Sequence, residues 1–269
     1  MDGNALLAKI LKDEGTEYLF CFPHNSLIDA CAKEGIRPII ARTERTIIGM
    51  ADGYARTLNG DKPAVVATQQ GPGTENAFPG IAQAFADSVP IMFVPGGEDR
   101  SRYGLDFFFA SENYKSVTKW LTTVHHTDRI QESMQQAFTR LRMGKPGPIL
   151  VEFPINVGSE SVNELPYEYS AVKSAKTASA SPEIEEAVRL ILSANNPIIH
   201  AGQGVLYANA SAELKEFAEL INAPVMTTLT GKSAFPEDHP LALGTGGISA
   251  PGAVYHFIDK ADLVLGVGC

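Results

Sequence analysis

The sequence predicts an α/β protein: a doubly wound parallel sheet with helices on both faces, followed by a second, incomplete Rossmann-like α/β domain. Three observations carry this. Short runs that are apolar throughout, such as AVVAT at 64–68 and IMFV at 91–94, alternate with amphipathic stretches of helical period. Strands without a polar face must be covered on both sides, the condition of parallel sheets joined by helical crossovers. A chain of 269 residues, 44% of them apolar, is long enough for two ordinary domains with sizeable cores.

Taken in order, residues 2–14 place Leu6, Leu7, Ile10 and Leu11 at helical spacing. Asp2 stands where a secretory signal would carry a basic residue, so this is an ordinary first helix. Strands follow at 18–22, 38–41, 64–68, 91–94, 121–124 and 149–153, with helices at 26–34, 44–58, 75–86 and 129–142. These elements make a first domain over 1–157. Residues 158–182 are polar, Ser/Ala-rich and aperiodic, the composition of a linker. Alternation resumes over 183–269, with helices at 183–194, 210–222 and 250–259 and strands at 197–201, 224–227 and 263–267. The closing LVLGVGC reads as a buried strand lacking its covering helix, so the second domain is expected to be truncated.

Composition narrows the function classes. A formal net charge of −9 and a pI near 5.2 argue against nucleic acid or an anionic membrane as the main partner. Cys21, Cys31 and Cys269 form neither a CxxC pair nor an even disulfide set, and no apolar run approaches the ~20 residues of a membrane helix. A cytoplasmic protein is expected.

Two stretches carry chemistry. Glu44 heads the helix ERTIIGMADGYAR and lies in line with Ile47 and Ile48; Met50, Ala51 and Ala55 continue what reads as a small apolar packing face. A carboxylate there loses water, which favours its protonated form. Farther on, the strand at 64–68 runs into QQGPGTEN, where Gly71 and Gly73 around Pro72 form a tight turn and Thr74 is the expected N-cap. No GK[ST] follows, so the turn is not a phosphate loop.

Together these stretches resemble the pyrimidine-binding domain of thiamine-diphosphate enzymes of the acetolactate synthase type. The likeness rests on Glu44 with residues 50–56, closing on G-Y-A-R, then the G-P-G-x-x-N turn at 71–76 and the A-x-x-D-x-x-P segment at 84–90. KPGPILVEFPINV, then GKSAFPEDHPLALG and ADLVLGVG, follow the same family in the same order, so the resemblance spans essentially the whole chain. It implies that Glu44 is the catalytic acid, bonding N1′ of the cofactor's aminopyrimidine and favouring the tautomer that activates C2 of the thiazolium. It also implies that Pro23, Thr68, Pro72 and Asn76 line the pyrimidine pocket. Mg²⁺ would be held by a further domain with a GDG motif, which this sequence lacks, and FAD is a possible ligand of the second domain. The implied activity is decarboxylation of a 2-keto acid followed by carboligation. A simple 2-keto acid decarboxylase or carbon–carbon lyase is the alternative within the family, and a non-catalytic assembly chain the alternative outside it. A homodimer or homotetramer with its active site across the interface is the implied assembly.

The chain departs from the family at several points. Cys21 and His24 flank Phe22-Pro23 where F-G-x-P-G is usual, Thr43 replaces a histidine before the glutamate, and Gln70 replaces a serine before G-P-G. DFFFASE stands where a glutamine is common, so Phe107–Phe109 are expected to add bulk on the substrate side. His125-His126 resembles the histidine pair of pyruvate decarboxylases but follows a later strand, which points to a structural or surface role. Gly202-Gln203-Gly204 is half of a dinucleotide motif, with Tyr207 where the third glycine belongs, and the single Trp120 reads as core.

Overall fold

The structure, a computed structural model, describes residues 1–22, 25–104, 107–163, 165, 167–175 and 178–269. Pro23 and His24 lie outside them. The chain divides into two compact units, Met1–Ala175 and Lys176–Cys269. Both are mixed α/β units built on parallel sheets.

The first unit runs α1 (Gly3–Asp13), β1 (Tyr18–Cys21), α2 (Asn25–Lys33), β2 (Arg37–Ile40), α3 (Glu44–Thr57), β3 (Ala64–Thr68) and α4 (Pro72–Ala86). It continues with β4 (Ile91–Gly97), α5 (Ala110–Asn113), β5 (Trp120–Thr123), α6 (Ile130–Arg142), β6 (Ile149–Pro154) and α7 (Ile155–Ser159). The six strands form one parallel sheet in the order β2-β1-β3-β4-β6-β5. Alternate side chains along each strand feed two cores, as the pleat requires. Val65, Ala67, Met92, Val94, Ile149 and Val151 join α1, α2 and α6 on one face. Phe20, Val66, Phe93 and Leu150 join α3 and α4 on the other, with Ala110 and Tyr114.

Local sequence explains the helix starts. Asp2 caps α1 by accepting from Ala5 N at 2.8 Å, and Thr43 caps α3 by accepting from Thr46 N at 3.2 Å. α4 starts earlier than its apolar pattern predicts. Gly71, at φ +60° and ψ −119°, takes the N-cap position, and Pro72 brings a preset φ to the first turn. Thr74 is therefore no N-cap; its hydroxyl donates to Gln69 O at 2.9 Å. β4 is three residues longer than its apolar run because Gly96 and Gly97 keep pairing with Phe153 and Pro154.

The polar stretch after β6 is fastened to the first unit along much of its length. Gly3 N donates to Glu160 O, Val162 N donates to Met1 O, and Asp2 bridges Ser161. Farther along, the fully enclosed carboxylate of Glu14 pairs with Arg142 and accepts from Tyr169 Oη and Val172 N. Burial, with that carboxylate beside it, raises the Tyr169 pKa. Composition alone hid this strap, because its anchors are single residues rather than a periodic pattern.

The second unit runs α8 (Ser181–Ser193), β7 (Pro197–Ala201), α9 (Gln203–Tyr207), α10 (Ser211–Ile221), β8 (Val225–Thr227), β9 (Ala242–Thr245), α11 (Gly252–Ile258) and β10 (Leu263–Val267). Its strands form a parallel sheet in the order β10-β7-β8-β9. β9 escaped sequence reading because ALGT is short and glycine-interrupted; pairing to β8 makes it a strand. The half-motif glycines have a packing reason: a Cβ on Gly202 would stand 2.2 Å from Gly268 O, so the turn after β7 lies backbone-to-backbone against the end of β10. Among the described residues, no helix is long and apolar enough to cross a membrane.

Two measurements check this description. Burial pushes the Cys21 thiol up to about 11 and the Cys31 thiol up to about 12, whereas Cys269 is exposed. At pH 8 a thiol reagent should therefore modify Cys269 alone in the folded chain and all three cysteines after denaturation. Arg142→Met should strand the Glu14 charge and destabilise the first unit by about 3 kcal/mol, with faster proteolysis between residues 160 and 175.

Candidate functional site

The order of the first sheet places a switch point between β1 and β3. From β1 the chain moves outward to β2, returns through α3, and continues from β3 on the opposite side. In open α/β sheets the crevice at the carboxyl ends of such strands is the usual ligand site. α3 enters this region with Glu44 as its first residue, and α4 enters it through the turn after β3.

Glu44 is 6% exposed, and its neighbours Ile47, Ile48 and Ala51 are wholly enclosed. Oε2 lies 3.5 Å from Asn76 Nδ2, and Oε1 lies 3.4 Å from where a Cβ on Gly73 would stand. The carboxylate thus faces the first turn of α4 across a narrow gap. Arg42 and Arg45 are exposed, and no ion pair to Glu44 forms among the described residues. One long hydrogen bond leaves most of the acceptor sites of this carboxylate free.

Other residues expected at the pocket lie on the first turn of α4 and at the end of β3. Pro72 and Asn76 are exposed on the α4 turn. Thr68, at the end of β3, is fully buried, and its Oγ1 has no hydrogen-bond partner. A carboxylate with acceptor sites to spare beside an exposed turn can accept hydrogen bonds from the N–H groups of a ligand. Among the described residues, no group of three His, Cys, Asp or Glu side chains is placed to hold a metal ion.

Several details differ from the sequence reading. Met50 is exposed, with Gly49 and Gly53, so the buried face of α3 is Glu44, Ile47, Ile48, Ala51 and Ala55. Of the three phenylalanines at 107–109, only Phe107 is exposed, beneath the Arg102 guanidinium at 5.4 Å; Phe109 is buried with its ring 4.5 Å from that of Tyr103. His125 and His126 are exposed beyond the edge strand β5, which β4 and β6 separate from β3. Trp120 is partly buried against the core.

Three residues that shape the region gave little sequence signal. Gly80 sits where α4 meets α3: a Cβ there would stand 2.6 Å from Ile48 Cγ2 and 2.8 Å from Ile48 Cβ. Arg56 closes the far end of the same helix pair, bonding Asp52 at 2.5 Å and Asp87 at 2.7 Å. Glu152 is a buried carboxylate in the otherwise apolar strand ILVEFP; its lone charge was the clue available.

Comparison with known proteins gives family matches over both units. Residues 1–137 match the family described as thiamine pyrophosphate enzyme, N-terminal TPP binding domain, and residues 184–269 match thiamine pyrophosphate enzyme, central domain. A protein named "Probable acetolactate synthase large subunit" from Methanocaldococcus jannaschii is 32% identical over 280 residues, covering 100% of this chain and 47% of its own length. The acetolactate synthase isozyme 3 large subunit of Escherichia coli strain K12 is 30% identical, with 100% and 48% covered. The glyoxylate carboligase of Escherichia coli O157:H7 is 34% identical over 267 residues, with 96% and 45% covered. The chain spans about half the length of the curated relatives it matches.

The α3–α4 contact is testable by itself. Gly80→Ala should overpack Ile48 and cost about 1–3 kcal/mol in a denaturant titration. Ala82→Gly would be an unsuitable control because it weakens the helix; Gln83→Ala, on the exposed side of α4, should be close to neutral.

Proposed function

Because the chain belongs to the thiamine pyrophosphate enzymes, with sequence from their N-terminal and central domains, we propose that Glu44 is the proton-sharing acid of a thiamine diphosphate site. The pyrimidine-binding domain is residues 1–157, residues 158–182 connect it onward, and 183–269 is central-domain sequence. The observation that carries this reading is a nearly buried carboxylate, short of partners, facing the first turn of α4.

The cofactor, when bound, supplies an electron sink for decarboxylating a 2-keto acid. This chain's residues do the binding and the proton work at the pyrimidine end. Glu44 bonds the ring nitrogen N1′ and holds or releases a proton there, in an enclosure that Ile47, Ile48 and Ala51 keep dry. Asn76 orients the carboxylate through its Nδ2, and Pro72 and Thr68 border the ring; Pro23 is assigned by resemblance alone. The diphosphate and its Mg²⁺ belong to another domain of the complete enzyme.

The reaction that fits best is decarboxylation of a 2-keto acid followed by carboligation, as in acetolactate synthases. The support is that relatives named as acetolactate synthases and a carboligase align along nearly the whole chain. A non-catalytic assembly role fits less well, since an under-satisfied buried acid stabilises nothing. The complete enzyme is proposed to act in the cytoplasm as a homodimer or homotetramer, with FAD a candidate ligand of the central domain.

Glu44→Gln in the complete enzyme should lower turnover about 100-fold or more with the fold intact, because an amide keeps the shape but shares no acidic proton. Near-wild-type turnover would refute the assignment. Replacing both His125 and His126 by asparagine should leave the pH dependence of kcat/KM unchanged; a displaced limb would place the pair at the chemistry after all.

A further inference from the structure

We propose that Tyr114 is a positioning residue for the pyrimidine pocket: its hydroxyl, on a helix anchored by Glu152, fixes the first turn of α4 opposite Glu44. The proposal rests on the reading of Glu44 above and extends it to residues that touch neither the acid nor the ring.

The argument starts from how little holds that turn. Its N-cap is Gly71, which has no side chain to accept from the orphan N–H groups, and no side-chain cap forms. Pro79 removes the N–H that would close onto Glu75 O, and its ring crowds that carbonyl. The first turn, which carries Pro72 and Asn76, thus lacks two of the usual supports of a helix. One tie is local, from the Thr74 hydroxyl to Gln69 O at 2.9 Å; another comes from outside, where Tyr114 Oη donates to Thr74 O at 2.5 Å. Tyr114 is fully buried, its ring 5.1 Å from that of Phe78 and 5.4 Å from that of Phe93, so the hydroxyl has a single, fixed direction.

Tyr114 is itself held. It is the C-cap residue of α5, a single turn whose N-cap, Phe109, offers no side-chain acceptor. The buried carboxylate of Glu152 takes that role, accepting from Ala110 N at 2.9 Å and Ser111 N at 3.1 Å. Thr123 Oγ1 at 2.9 Å and Tyr103 Oη at 3.4 Å complete its shell. A carboxylate at the start of a helical turn is favoured by charge as well as by hydrogen bonding. The line of support therefore runs from β6 through α5 to the turn of α4 that faces Glu44. Glu152, Ala110, Tyr114 and Thr74 are buried, and Ser111, Thr123 and Tyr103 are half-buried.

The test needs no catalysis. Tyr114→Phe removes one oxygen and keeps the ring. In this chain without cofactor, amide hydrogen exchange over 71–78 should quicken by about 3- to 10-fold, the effect of one net hydrogen bond. Exchange over 3–13 in α1 should stay as it was. In the complete enzyme, the apparent Kd for thiamine diphosphate at saturating Mg²⁺, measured by equilibrium dialysis, should rise by a similar factor. Glu152→Gln should quicken exchange over both 107–113 and 71–78; if that variant does not fold, Tyr114→Phe decides. Unchanged exchange over 71–78 would overturn the proposal. So would a rise spread equally over α1, which would make Tyr114 a general stabiliser, or local loosening with an unchanged cofactor Kd. Glu44→Gln separates the two levels: if it remains active, the pocket is misassigned, whereas an inactive Glu44→Gln beside an unaltered Tyr114→Phe removes only the support from α5.

Discussion

The contact between α3 and α4 at Gly80 and Ile48 sets the geometry on which the candidate site depends. With no Cβ at Gly80, the β-branched side chain of Ile48 fills the space against the α4 backbone. That close approach brings the head of α3 to the first turn of α4, so that Glu44 lies within 3.5 Å of Asn76. The Arg56–Asp87 pair closes the opposite ends of the two helices, so the pair is held at both ends. Close-packed interiors transmit displacement rather than absorb it, and a shift of one methyl group at Gly80 would reach the carboxylate.

The sheet supplies the second constraint. All six strands of the first unit are parallel, so every strand delivers its carboxyl end to the same edge. Thr68 on β3 and Glu152 on β6 both reach that edge, on the face covered by α3, α4 and α5. They differ in satisfaction: Glu152 accepts four hydrogen bonds, and Thr68 Oγ1 makes none. A filled carboxylate such as Glu152 serves as an anchor. Glu44, with one long hydrogen bond, is far less satisfied.

The departures from the family pattern acquire local reasons in this setting. Thr43 stands where a histidine is common and serves as the N-cap of α3. Thr74, read from sequence as a cap, instead ties the turn back to Gln69. Phe109, expected on the substrate side, turns into the protein against Tyr103, which leaves Phe107 as the exposed ring of the three. The strap over 160–172 shows how a polar stretch can be ordered by a few strong anchors: Glu14 with Arg142, and the backbone pairing around Asp2.

The sequence by itself determined the alternation of strands and helices, because burial on both faces demands uninterrupted apolar runs and packing on one side demands helical period. It determined the register of Glu44 with Ile47 and Ile48, since three- and four-residue spacing on a helix is local geometry. It also held the turn after β3, where the glycines and proline allow little else. Tertiary structure decided what stood opposite these features. That Gly80 meets Ile48, that Tyr114 reaches Thr74, and that Glu152 caps α5 are contacts between residues 32 to 42 positions apart. No periodicity encodes such pairs; they exist because the sheet order brings their elements together. Met50 shows the same limit from the other side: read from sequence as part of the apolar face, it is exposed in the fold.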